Sequence, residues 1–235
     1  MNTEPNPKAS KRQFTQLMLI LVAPLIFFSF LFMFGKNRYT LPAYYPLDSV
    51  KVDGKWKVTR YHTLPDFTLV NQYGEKFTRQ SIKKDEVYVV DFFFTRCGNP
   101  TLCPQMSKEL SRVQEMFSKN DKVKILSHTV DPEYDTPQVL AKYAQKYGAK
   151  RGTWHFLTGL KQDIYSLAFH AYKINALQDS ETVTPEFSHA TKFILIDGKG
   201  RVRGYYDALE AKEVDRMIVE ANVVLYEQNL EKELK

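Results

Sequence analysis

Cys97 and Cys103 are the only cysteines in the 235 residues of this chain. They follow the apolar run Val89-Val90-Asp91-Phe92-Phe93-Phe94, and Pro104 comes directly after the second. The run reads as a buried strand, and Pro104 as the first turn of a helix. Two thiols at a strand-to-helix turn suit redox chemistry or a soft metal ion. A helix N-terminus favours the thiolate, which is both the nucleophile and the metal ligand. Four chemistries stay open on the cysteines alone. A structural disulfide would close a very short loop and add little by chain entropy. Zinc normally takes four protein ligands, more than are close at hand. Copper(I) accepts two thiolates and an imidazole. Thiol-disulfide exchange would use Cys97 to attack and Cys103 to resolve.

The copper chemistry requires a histidine from elsewhere, and the chain has five. His62 precedes a hairpin and reads as surface or packing. His128 and His155 lie in apolar strands, and His170 in a helix of mixed character. His189 is set apart by its loop, Pro185-Glu186-Phe187-Ser188-His189-Ala190-Thr191, which feeds the apolar strand Lys192–Ile196.

The elements that must position these groups follow from pattern. Residues 64–77 read as a hairpin, with Asn71-Gln72-Tyr73-Gly74 at its turn. Val87–Phe94 is a strand. Residues 104–119 form a helix with Met106, Leu110, Val113 and Phe117 on one face. Val123–Val130 is the next strand. Asp135-Thr136-Pro137 opens a helix that runs to about Tyr147, where Gly148 ends it. A short strand at Trp154–Leu157 and a helix over 161–171 follow. Strands at 191–196 and 201–206 flank the turn Asp197-Gly198-Lys199-Gly200. The tail from Ala208 is a helix buried along Val214, Met217, Ile218, Ala221, Val224 and Leu225. Alternating strands and helices imply parallel pairs, and the late hairpin adds antiparallel ones. The expected class is α/β, a thioredoxin-like fold with an N-terminal β-hairpin extension. In that fold the loop carrying His189 returns beside the cysteine turn.

The N-terminus is of another kind. Gln13–Gly35 carries no charge. At about 1.5 Å per residue it spans roughly 35 Å, enough to cross a bilayer. The expected organisation is a cytoplasmic tail at 1–12, a transmembrane anchor at 13–35, a Pro- and Tyr-rich linker at 36–60, and the globular domain at 61–235. Basic residues on the two sides of the span nearly balance and lean toward a cytoplasmic N-terminus. The net charge of +6 is modest, and the basic residues are scattered. This pattern excludes a nucleic-acid-binding class.

Several segments together resemble one family. They are Pro65-Asp66-Phe67-Thr68-Leu69, Phe92-Phe93-Phe94-Thr95-Arg96-Cys97 with Cys103-Pro104, and Val130-Asp131-Pro132-Glu133-Tyr134-Asp135-Thr136-Pro137. Ser188-His189, before an apolar strand and the Asp197-Gly198 turn, completes the set. The chain resembles the SCO/SenC proteins, membrane-anchored thioredoxin-like copper proteins that serve cytochrome c oxidase assembly. The resemblance covers about residues 61 to 230. It implies Cys97 and Cys103 as thiolate ligands and His189 as the imidazole ligand of one copper ion. It also implies a cytochrome c oxidase subunit, or another copper or thiol partner protein, as recipient. The short N-terminus fits a bacterial inner membrane with the domain facing the periplasm. Two departures stand out. Five residues separate the cysteines here, where the family usually has three, and Ser188 replaces an aspartate before the histidine. The competing function is a membrane-tethered thiol-disulfide oxidoreductase in which the cysteine pair matters and His189 does not. Asp131 and Asp135 read as turn and capping residues, or as groups that orient the site.

Overall fold

The computed structural model describes residues 7–34, 40–99, 102–174 and 191–233. The chain divides into two units, Met1–Tyr39 and Thr40–Lys235.

The first unit is the helix α1, Pro7–Phe34, which continues through Pro24. Its described side chains, at Gln16 and 18–30, are all exposed. Among the described residues no helix is long and apolar enough to cross a membrane. The side chains described in α1 are part of the 13–35 stretch.

The second unit opens with β1 (Pro46–Val52) and β2 (Lys55–Tyr61), an antiparallel ribbon that forms a sheet by itself. It lies in the segment expected to be a linker. Asp53 and Gly54, with φ of 49° and 77°, make the two-residue turn that closes it. That turn type requires positive φ at both positions, which aspartate tolerates and glycine favours. The lack of helical periodicity in this segment reflects a strand pair, because the short ribbon buries neither face.

The body is a seven-stranded sheet in the order β4-β3-β7-β6-β5-β8-β9. Its strands are β3 (Thr68–Asn71), β4 (Lys76–Thr78), β5 (Val87–Phe93), β6 (Val123–Thr129), β7 (Trp154–Thr158), β8 (Lys192–Ile196) and β9 (Val202–Asp207). The central β5, β6 and β7 run parallel, and β8, β9, β3 and β4 are added antiparallel. The helices are α2 (Cys103–Met116), α3 (Pro137–Lys146), α4 (Lys161–Ser166) and α5 (Ala211–Glu233). A π-helical turn, Leu167–Ala171, extends α4.

Strand alternation divides β5 between two cores. Val87, Val89 and Phe93 pack with Met106, Leu110 and Val113 of α2, Leu140 of α3, and the stripe of α5 from Val214 to Leu225. Tyr88, Val90 and Phe92 pack on the other face with Ile164, Leu167, Ala171 and Tyr172. Every residue of β5 is buried, which explains why its sequence is nearly continuously apolar. The expected α/β class and thioredoxin-like order are what the chain adopts.

Candidate metal and redox site

The turn after β5 is held from one side by the loop after β6. Asp135 is fully buried. Its carboxylate accepts hydrogen bonds from the Thr95 backbone N–H at 3.1 Å, from the Thr95 hydroxyl and from the Thr129 hydroxyl. Thr95 is two residues before Cys97, so the acid fixes the backbone that carries the first thiol. The capping task falls instead to Thr136, whose hydroxyl accepts from Val139 N–H at the start of α3. Asp131 takes a second grip. Its carboxylate accepts from Arg96 Nε at 3.1 Å and from the same guanidinium's Nη2. The guanidinium also lies 4.1 Å from the centre of the Tyr134 ring. Both aspartates of the Val-Asp-Pro-Glu-Tyr-Asp-Thr-Pro segment therefore orient the cysteine turn.

The two thiols are unbridged and unlike. Cys97 is half-buried; its Sγ lies 3.6 Å from the Asn99 carbonyl oxygen, to which it donates. Cys103 is the first residue of α2 and only 6% exposed. Pro104 follows it at a position where no backbone donor is needed. The expected lowering of a helix-start thiol does not occur at Cys103. Burial pushes its pKa up to about 12, and the neighbouring Cys97 and Asp91 add to this, while a backbone hydrogen bond with Phe94 opposes it. Desolvation outweighs the helix end here because the residue faces the core.

Asp91 is the residue that sequence reasoning passed over. It sits within β5, fully buried, and accepts a hydrogen bond from Ser127 Oγ. Ser127 Oγ in turn accepts from Trp154 Nε1 at 2.8 Å. Burial raises the Asp91 pKa to about 7, against the lowering effect of the serine. The signal was present as a single acid inside an apolar strand, a placement that burial makes costly without a partner.

His189 and the rest of 175–190 lie outside the described residues. Among the described residues no group of three or more His, Cys, Asp or Glu side chains is placed to hold a metal ion. The other histidines do not join the thiols. His62 Nε2 meets the Ala171 carbonyl oxygen at 3.0 Å, and His170 is exposed. His128 is buried against Phe92 and Tyr172 on the opposite face from Cys103. His155 packs against Phe77. Among the described residues the soft donors brought together at the turn are two sulfurs of different exposure, a set that suits copper(I).

Comparison with known proteins agrees with this architecture. Residues 57–223 match the family model described as SCO1/SenC. The SCO1 protein homolog of Bacillus subtilis is 34% identical over 154 residues, covering 65% of this chain and 77% of that protein. Among solved structures, BsSco has a TM-score of 0.58 at 28% identity, covering 70% of this chain and 94% of its own. It is described as a member of the Sco family of cytochrome c oxidase assembly proteins in which a disulfide switch was identified. Yeast Sco1 with copper bound has a TM-score of 0.52 at 21% identity, over 70% of this chain and 95% of its own, a likeness of fold alone.

Proposed function

The chain belongs to the SCO1/SenC family, and from that premise we propose that it carries copper as cargo for assembly of the copper centre of cytochrome c oxidase. Cys97, Cys103 and His189 are the proposed ligands. The observation that carries the reading is the unbridged pair Cys97 and Cys103 at a turn fixed by Asp135. The half-buried Cys97 is the sulfur an incoming copper donor can reach. Cys103 must give up a proton that burial holds firmly, so loading releases a proton and tightens as pH rises. Ligand exchange with a partner's soft donors then passes the ion on from the exposed side. Ser188 stands before the proposed imidazole ligand, where an aspartate could orient one.

The asymmetry of the thiols also supports a second reading, thiol-disulfide exchange. Cys97 thiolate would attack a partner disulfide, forming a mixed disulfide and releasing one partner thiolate. Cys103 thiolate would then attack Cys97 sulfur, releasing the second and leaving the pair oxidised. X-ray absorption of the copper(I)-loaded full chain separates the two. The copper reading requires two sulfur donors and a nitrogen donor that vanishes in His189→Ala. A copper shell identical in that variant contradicts it.

The uncharged stretch 13–35 and the exposed apolar side chains of α1 support a single-pass anchor. The proposed location is a bacterial inner membrane, with the 1–12 tail in the cytoplasm and the copper domain in the periplasm. Alkaline extraction of membranes tests the anchor. Retention in the pellet supports it, and release to the supernatant contradicts it.

A further inference from the structure

The β1–β2 ribbon is built unlike the rest of its unit. All of β1 and nearly all of β2 are exposed. Leu47, Val50, Val52 and Trp56 are 54%, 47%, 47% and 73% exposed. A two-stranded ribbon with neither face covered is marginal in water. Its foot is fastened to the body: Tyr44 N–H donates to the Val202 carbonyl, and the Tyr45 and Tyr205 hydroxyls meet at 3.0 Å. Most of the ribbon precedes residue 57, where the family match begins.

Register sorts its side chains. Lys51 stands opposite Trp56, Val50 opposite Lys57, and Val52 opposite Lys55. Directly opposed residues share a face, so each face pairs apolar groups with lysine. Four basic residues stand against two acidic ones over 46–61, and Arg60 is engaged by Asp48 at 2.6 Å. The lysines Lys51, Lys55 and Lys57 are exposed. Tryptophan beside lysine and short apolar groups is the composition of a bilayer interface, where the indole sits among headgroups and lysine meets lipid phosphate. Chain length agrees. α1 ends at Phe34 and β1 begins at Pro46, a stretch that at ~3.5 Å per residue reaches at most about 40 Å.

We propose that the turn end of the β1–β2 ribbon dips into an anionic lipid surface, with Trp56 and Lys51 on one face and Lys55 and Lys57 on the other reaching the headgroups. The proposal rests on the reading of α1 as a membrane anchor. A bilayer contact at this point gives the copper domain a second hold on the membrane and restricts its rotation about the tether.

The chain has two tryptophans, and Trp154 is fully buried, so environment-sensitive emission reports Trp56. The full chain is reconstituted into phosphatidylcholine vesicles, with and without phosphatidylglycerol, carrying brominated acyl chains. Flotation of the vesicles is measured alongside fluorescence. Bromolipid quenching is expected, stronger with the anionic lipid and weakened by salt. Trp56→Phe abolishes it, and the triple change Lys51→Gln, Lys55→Gln, Lys57→Gln reduces it. Flotation with Trp56 open to aqueous acrylamide and untouched by bromolipid overturns the ribbon contact and leaves the anchor standing. Shielding from both quenchers overturns it in favour of a protein cover, a second copy included. Failure to float overturns both readings.

Discussion

The loop 129–137 and the β1–β2 ribbon make opposite uses of charge and polarity. In the loop, one buried carboxylate takes three hydrogen bonds and fixes a backbone two residues from Cys97. In the ribbon, all of β1 and most of β2 face outward, and the strands pair only with each other. Buried polar bonds are strong and costly to break, whereas exposed pairs contribute little. The contrast separates a part whose geometry must be set within the protein from a part completed by something outside it.

The contrast is broken or sharpened by substitution. The largest effect is expected at Asp135. Asp135→Ala strands the buried Thr129 hydroxyl and the half-buried Thr95 hydroxyl and N–H, and should lower unfolding free energy by roughly 3 kcal/mol in denaturant titrations. Copper(I) affinity should fall with it, because the Cys97 turn is released. A loss below about 1 kcal/mol would remove the loop from its role as clamp.

Acid provides the next effect. Burial lowers the pKa of His128 and of His155 to about 4, from an ordinary 6.5. Between those values the unfolded chain binds more protons than the folded one, so stability rises with pH from about 4 to about 6.5. Asp91 acts oppositely. Its folded pKa is raised from 3.8 to about 7, so its contribution falls as pH climbs through that window. His128→Phe keeps an aromatic ring beside Phe92 and Tyr172 and should remove up to about 1.4 kcal/mol per pH unit of the acid-side slope. A slope unchanged in the variant would contradict a buried neutral His128.

Smaller changes follow at exposed positions. Arg96→Ala breaks a pair whose arginine side chain is 56% exposed, and should leave stability nearly unchanged. The same change should speed alkylation of Cys97 by a thiol reagent, since the turn beside it loosens. An unaltered alkylation rate would reduce Arg96 to a surface residue. In the ribbon, Trp56→Phe should move stability of the lipid-free protein by no more than about 0.5 kcal/mol. A larger loss would mean that the indole packs on the body, which would erase the contrast.

Much of this arrangement was legible in the sequence, for physical reasons. The fully buried β5 reads as continuous apolar residues, and the stripe of α5 repeats with the helical period. Pro104 marks the start of α2 within one residue of the Cys103 at which it begins. Positions where a single contact outweighs a pattern were less legible. Asp135 looked like a capping residue because Thr136-Pro137 follows it, yet its bonds cross to Thr95, forty positions away in sequence. Cys103 was expected to be acidified by its helix end, but side-chain burial decides the matter and no local spacing encodes it. The ribbon escaped notice because periodicity detects strands through a buried face, and this pair has none. His189 stands on the family resemblance, since its loop lies outside the described residues.

The central claim is that three side chains hold one copper ion. Its most direct test is a copper(I) titration of the fully reduced chain against a competing chelator, run beside His189→Ala and Cys103→Ser. The account predicts one tight equivalent, much weakened by either substitution. Binding at background level, or binding indifferent to His189, would contradict the three-ligand site and leave thiol-disulfide exchange as the chemistry of Cys97 and Cys103.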